Sequence, residues 1–192
     1  MNDSYFSDEK FEKINYTTTL LKKGEYEHCV FVNCDFSEVN LSGIKFIECI
    51  FSACNLSMAK LLKTTFNNVQ FIGCKMLGLH FENCNQFGLS FSFDQCQLNH
   101  SSFYQTHIKQ TNFKDTSLVE SDFTECDLTG SLFEKCNLSG TVFDKTIIEK
   151  TDFRTAYNYS INPENNRLRK ALFSLPEVTG LLDKYDIIIE SR

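Results

Sequence analysis

The sequence predicts an all-β chain wound as a four-sided parallel β-solenoid, closed by a short C-terminal helix and strand. Three observations lead there. First, from Gly24 to Thr155 the chain divides into five-residue units such as Cys29-Val30-Phe31-Val32-Asn33 and Cys34-Asp35-Phe36-Ser37-Glu38. Second, the central residue is Phe, Leu, Ile, Met or Tyr in 25 of 26 units, the exception being Gln86. Third, two positions before each centre sits a residue of modest size, mostly Cys, Ser, Thr, Ala or Val. Self-similarity at a fixed short period fixes an architecture ahead of any propensity argument.

Within a unit the small and central residues lie two apart, so on extended backbone they face the same side. A straight strand would continue that alternation, yet here it restarts every five residues. The chain must turn a corner once per unit, and repeated corners make a coil. Centres twenty residues apart match in kind, as in Tyr26, Phe46 and Phe66, or Leu98, Leu118 and Leu138, which gives the coil four sides. Between Phe103 and Phe153 the centres alternate Phe with an aliphatic residue. The interior is therefore expected to hold ladders of rings and aliphatic chains.

Taken in order, residues 1–23 read as a divergent first coil, with Phe6, Phe11, Tyr16 and Leu21 on the grid among crowding lysines. A polar end repeat of this kind covers an otherwise open apolar stack. Residues 24–155 are the regular solenoid, broken once at 84–90, where a unit carries two extra residues. Gly88 supplies the backbone freedom for a bulge. The segment is either a tolerated insertion or an exposed apolar knob built from Phe87 and Leu89. Residues 156–192 form a C-terminal cap and dimerisation segment. There Ser174-Leu175-Pro176-Glu177 has capping-box spacing, and Val178, Leu181, Leu182 and Tyr185 follow at helical intervals. Asp186 to Glu190 then reads as a short strand. Leu175 and these four apolar residues are the candidate cap or dimer contacts.

Composition narrows the function. All nine Cys lie two residues before a centre, which uses them as small buried side chains, whereas the four His take outward positions. Inward Cys and outward His do not share an ion easily, so no metal and no cofactor is expected. No Gly-rich phosphate loop and no local base beside an outward Ser or Thr appears, so a non-enzymatic protein is expected. Polar residues open the chain and no apolar run reaches membrane-spanning length, which implies a cytoplasmic protein with no membrane partner. The net charge of −6 argues against direct binding of nucleic acid. Acidic residues concentrate in one run, Asp115, Glu120, Asp122, Glu125, Asp127 and Glu134, without Lys or Arg among them. That run is either a solvated surface or a candidate acidic partner surface.

The grid resembles the pentapeptide-repeat family. Phe31 to Gly43 is similar to the early repeats of Qnr-type quinolone-resistance proteins, and Leu181 to Ile189 resembles their tail. Ile161-Asn162-Pro163-Glu164 through Arg167 also looks like the tail of immunity proteins against gyrase poisons. The resemblance implies a right-handed, four-sided β-helix that dimerises through C-terminal elements. It further implies an acidic rod acting on a bacterial type II topoisomerase, DNA gyrase or topoisomerase IV, as a partial DNA mimic. In place of the projecting loops common in that family, this chain has a two-residue insertion. A duplex as long as the rod, roughly 36 Å at one coil per 4.8 Å, carries on the order of 20 charges, so any mimicry is confined to the acidic run. The competing reading is a structural rod for an unrelated protein partner.

Overall fold

In the computed structural model, which describes residues 4–190, every strand pairing is parallel and the registers step by one coil. One sheet joins β1 (Ser4–Ser7), β3 (Gly24–Glu27), β5 (Lys45–Ile47) and β7 (Thr65–Asn67) in that order. The other runs β2 (Lys10–Glu12), β4 (Val30–Val32), β6 (Ile50–Ser52), β8 (Val69–Ile72), β9 (Phe91–Asp94), β10 (Asn112–Lys114) and β11 (Leu132–Glu134). Tyr26 pairs with Phe46 and Phe31 with Phe51, twenty residues apart. Single bridges continue the ladder in two further columns, through Asn15, Asp35, Asn55 and Lys75 and through Ser102, Asp122 and Val142. Each coil thus uses four units and four columns of centres.

The second column is aromatic from end to end. Phe11, Phe31, Phe51, Phe71, Phe93, Phe113, Phe133, Phe153 and Phe173 stack with centroids 4.7–5.4 Å apart. A second aromatic column stands beside it but changes place along the rod. Before the insertion it is the first column, Phe6, Tyr26, Phe46 and Phe66. After it, the first column turns aliphatic (Ile108, Leu128, Ile148), and the fourth column, from Phe81 just before the insertion, carries Phe81, Phe103, Phe123 and Phe143. Rings of the two aromatic columns meet mostly edge-on, as Phe46 with Phe51 and Phe113 with Phe123. Such contacts add about 0.5–1.5 kcal/mol beyond the area buried.

The small residue has a second role besides its size. Its thiol or hydroxyl donates to the carbonyl of the centre one coil earlier: Cys54 Sγ to Phe31 O at 3.4 Å, Cys74 to Phe51 at 3.3 Å, and Thr146 Oγ1 to Phe123 at 2.8 Å. Thr64, Thr141 and Thr151 do the same. That is why Cys, Ser and Thr dominate the position. Burial pushes the Cys49, Cys126 and Cys136 thiols up to about 12. All nine Cys are free and buried, and burial keeps them away from the solvent reagents a reactive thiol needs. Cys34, Cys54, Cys74 and Cys96 lie in one column, with the Cys34 N–H on Cys54 Sγ at 3.4 Å.

Corners fall two residues after most centres, in left-handed backbone. His28, Asn33, Glu38, Glu48, Ala53 and Met58 have φ of 50–60°. An L-residue pays about 1–2 kcal/mol for that conformation. Each corner is held because its N–H joins the ladder, as His28 N–H to Ile47 O at 3.0 Å and Glu120 N–H to Ser139 O at 2.9 Å.

Three expectations are corrected. The ladder does not stop at Thr155: Ile147 bridges Arg167, Asp152 bridges Leu172, and Phe173 stacks on Phe153. Its last coil is masked in the sequence by off-pattern residues, such as Asn166 in a small position, where it still donates to Phe143 O at 2.9 Å. The C-terminal helix is two short 3₁₀ turns, Val178–Leu181 and Asp183–Tyr185, and no side chain caps the first. The strand expected over Asp186–Glu190 is irregular backbone that joins neither sheet of the described residues.

Phe123 is fully buried between Phe103 and Phe143. Phe123→Ala is expected to lower stability by about 3–5 kcal/mol in denaturant unfolding, and a loss below about 1 kcal/mol would show that this ring does not carry the stack.

Candidate partner-binding surfaces

The acidic run is contiguous in sequence but wraps the coil. Asp115, Glu120 and Glu125 occupy three successive corners, each in left-handed backbone and therefore on three different edges of the rod. Asp122 and Asp127 precede the centres Phe123 and Leu128, and their carboxylates close Asx turns. Asp122 accepts the Thr124 N–H at 2.8 Å, and Asp127 accepts the Thr129 N–H at 3.0 Å and its hydroxyl at 2.6 Å. Asn15, Asn40, Asn55 and Asn137 make the same turn elsewhere. Two of the six acids thus follow a local rule, an Asx residue before the centre, legible in sequence as Asn or Asp followed two residues on by Ser or Thr.

Stacking governs the outside as well. Equivalent positions on adjacent coils are cross-strand neighbours, where like charges destabilise and opposite charges pair. Lys45 meets Glu25 at 3.0 Å, Lys114 meets Asp94 at 3.0 Å, and Lys145 lies 3.8 Å from Glu125. His100 contacts Glu120 at 3.1 Å. Glu134 pairs in register with Lys114, and its carbonyl accepts the Asp115 N–H at 2.8 Å, which sets these two acids of the run on neighbouring coils of one edge. Asp127 is buried, with Lys109 at 3.1 Å, and does not belong to an outer surface.

The insertion separates its two apolar residues. Phe87 stands 88% exposed, whereas Leu89 is buried, so the knob is Phe87 alone. Gln86, the odd centre, lies outside and donates to the carbonyls of Phe81, Glu82 and Cys84 at 3.1–3.3 Å. With no centre in the first column at this level, Leu89 and Phe91 are drawn inward, and Phe91 packs on Phe81 and Phe93 at 5.2 and 5.0 Å. Gly88 has φ of 70°.

The tail folds onto its own end. Gly180 O accepts the Ile161 N–H at 2.9 Å, and the close approach admits no side chain there, since a Cβ would lie 2.0 Å from Tyr159 O. Lys184 pairs with Glu164, and the Tyr185 hydroxyl donates to Glu164 at 3.0 Å. Val178, Leu181 and Leu182 are partly buried, whereas Leu175 and Tyr185 remain exposed. No helix among the described residues is long and apolar enough to cross a membrane.

The family model for the pentapeptide repeat region matches residues 24–92 and 78–153. The chain belongs to the pentapeptide-repeat family. Among solved structures, a trypsin-treated variant of QnrB1, a plasmid-mediated fluoroquinolone resistance protein, matches with a TM-score of 0.63 at 18% identity. That match covers 97% of each chain. Full-length QnrB1 matches with a TM-score of 0.56 at 15% identity, covering 96% of this chain and 100% of the other. At these identities the likeness establishes the shared fold. Comparison of the sequence with curated proteins finds no match. This pentapeptide-repeat protein thus has the coil and length of a Qnr rod, with a surface of its own. The outward positions of the last coil, Arg167, Arg169 and Lys170, were missed by sequence reasoning; the twenty-residue spacing, applied to positions other than the centres, reaches them.

Asp127 gives the coil a pH signature. Burial alone would raise its carboxyl, but the Thr129 hydroxyl and N–H and the Lys109 ammonium outweigh burial and hold it below the ordinary carboxylate value. A lowered folded-state value contributes stability that is complete above the unfolded value, about 4, and is lost as pH falls through the folded one. Asp127→Asn keeps the Asx turn and loses the charge. Its stability deficit is expected to be largest near neutral pH and to close below about pH 4; a pH-independent deficit in urea unfolding would contradict this.

Proposed function

We propose that this chain is a non-catalytic interaction protein that binds a bacterial type II topoisomerase and alters its response to inhibitors. The observation that carries the reading is the end-to-end correspondence with QnrB1, a fluoroquinolone resistance protein, over 97% of both chains. A rod with its thiols buried is suited to binding by shape and surface charge. The corner acids, Asp115 and Glu120 exposed and Glu125 half-buried, supply the run's partial likeness to a duplex. Neutralising neighbours such as Lys145 and His100 make this mimicry local, at one belt of the rod. A second reading, a rod for an unrelated partner, is favoured by that same pairing of charges between coils.

Gyrase supercoiling and topoisomerase IV decatenation, each titrated with the protein with and without a fluoroquinolone, separate the two. Inhibition of turnover or rescue from the drug is expected at low micromolar protein, and is expected to weaken at least several-fold in the triple variant Asp115→Lys, Glu120→Lys, Glu125→Lys. Neither effect at tens of micromolar, on either enzyme, would overturn the topoisomerase reading in favour of the second.

A further inference from the structure

Where the third and fourth coils turn from the third column to the fourth, the outside of the rod is basic and apolar. From Cys49 to Phe81 the sequence holds Lys60, Lys63 and Lys75 and no acid. All three lysines are exposed, and none makes an ion pair among the described residues. Asn55 bridges Lys75 and Asn40 bridges Lys60, which puts Lys75 on the third face and Lys60 on the fourth. Met58 sits at the corner between these faces with φ of 59° and is 58% exposed, as is Leu62. Gly78 takes the same corner one coil on, and the Met58 side chain lies across it: a Cβ at Gly78 would be 2.5 Å from Met58 Sδ. Half-buried Leu77 extends the apolar strip onto the third face. On the fourth face, Asn40 and Ser42 of the preceding coil and His80 and Asn83 of the following one flank Lys60 and Leu62, in a groove of about 600 Å³. The Asn40 side-chain carbonyl takes the Ser42 N–H at 3.0 Å, and the side-chain N–H groups of Asn40 and Asn83 donate to nothing among the described residues. Of the bordering acids, Asp35 closes an Asx turn on Ser37, and Glu82 is held by His80 at 2.9 Å. Glu38, one coil before Met58, is a single exposed carboxylate at the rim.

We propose that this corner docks an acidic segment of a partner protein, one that carries apolar side chains between its carboxylates. Charge complementarity selects the occupant: three lysines that find no counter-charge in their own fold are matched by carboxylates from outside. The exposed Met58 and Leu62 stand among those lysines, so a partner that covers them also excludes water from the ion pairs and strengthens them. A nucleic acid fits the same charge poorly. The corner has no Arg for bidentate contact with phosphate and no exposed ring on which a base could stack, since Phe51, Phe66 and Phe71 are buried. A membrane fits its shape poorly. Leu77 and Leu62 lie on two faces that meet at an edge, whereas a bilayer presents one plane. The groove's free amide N–H groups also need acceptors, which a peptide backbone supplies and an acyl chain does not. The footprint spans two coils and is small beside a standard protein interface, so the complex is weak and salt-sensitive. The corner acids Asp115, Glu120 and Glu125 belong to later coils, and this proposal does not rest on the topoisomerase reading.

Selection from a displayed library of random twelve-residue peptides on the immobilised full chain tests this without a known partner. The recovered peptides are then titrated by fluorescence anisotropy against the wild type and three variants. One reverses the lysines (Lys60→Glu, Lys63→Glu, Lys75→Glu), and one removes the apolar contact (Met58→Gln, Leu62→Gln). The third is a control that reverses the same number of unpaired lysines elsewhere (Lys135→Glu, Lys150→Glu, Lys170→Glu). The recovered peptides are expected to carry more Asp and Glu than Lys and Arg, with Leu, Ile, Met or Phe between, and to bind with a Kd of about tens of micromolar in 50 mM salt. Binding is expected to weaken at least about fivefold in 500 mM salt and by a similar factor in the lysine variant. It should weaken at least about threefold in the apolar variant, with the thermal unfolding of both variants unchanged, and stay as in the wild type in the control. A fifteen-nucleotide single strand and vesicles of phosphatidylserine and phosphatidylcholine are expected to bind at least about tenfold more weakly than the peptides. Recovered peptides without an acidic excess, or none at all, would overturn the proposal. So would binding indifferent to the lysine variant, equal loss in the control, or a preference for the oligonucleotide or the vesicles. Self-association of the wild type that the lysine variant abolishes would assign the corner to another copy of the chain and overturn it as well.

Discussion

Everything in this molecule depends on like residues lying directly above like residues, one coil apart. A parallel ladder in register leaves no freedom to offset side chains, so each interior column must be built from residues that stack on their own kind. Phenyl rings do this well, with faces nearly parallel and about 5 Å apart along the second column. The same constraint supplies the hydrogen bonding. A centre's carbonyl at the corner receives the hydroxyl or thiol of the small residue in the next coil, which is why that position asks for Cys, Ser or Thr as well as for small size. The left-handed corner is kept because its N–H belongs to the ladder. Column stacking, the small donor and the corner are therefore one arrangement seen from three places.

The insertion matters for the same reason. Two extra residues cannot be absorbed in a register of twenty without leaving the ladder, so the loop comes out of the first column and the coil closes over it. β8 and β9 resume pairing with a step of twenty-two, and every later column keeps its place. At that level the second aromatic column moves from the first to the fourth position. Phe91, a ring in a small-residue position, fits because the centre that would have opposed it has left the interior.

Reading by columns made the interior legible from sequence, down to the common column of Cys34, Cys54, Cys74 and Cys96. Two things were not legible. Some corners carry Gly, Asn or Asp, as Gly43, Asn33 and Asp115, but many carry Glu, Lys, His, Gln or Met in the same left-handed backbone, so no residue type marks a corner and its conformation is fixed by the ladder more than by local preference. The last coil was hidden because Asn166 and Pro163 replace the expected small and central residues, although Phe173 completes the aromatic column. Of the candidate surfaces, the acidic run read as one patch in sequence, but twenty residues make a full circuit, so the run became a belt with Asp127 inside it. Phe87 was found and Leu89 misplaced, since a loop's inward and outward residues do not follow the alternation of a strand. Charge on this surface is organised along columns, and residues far apart in sequence, Asp8 and Glu27 or Lys150 and Lys170, share one face of the rod.

The claim on which the rest stands is that twenty residues are one interchangeable coil. Excising residues 116–135 removes one coil and returns every later centre to its own column, whereas excising residues 116–130 removes three units and sets Phe133 over Leu98. Thermal unfolding followed by circular dichroism compares the two directly. The twenty-residue excision is expected to unfold cooperatively within a few degrees of the full chain, and the fifteen-residue excision to lose cooperativity or at least about ten degrees, since several core contacts of about 1–3 kcal/mol each are mismatched. Equal stability of the two shortened chains would contradict the account.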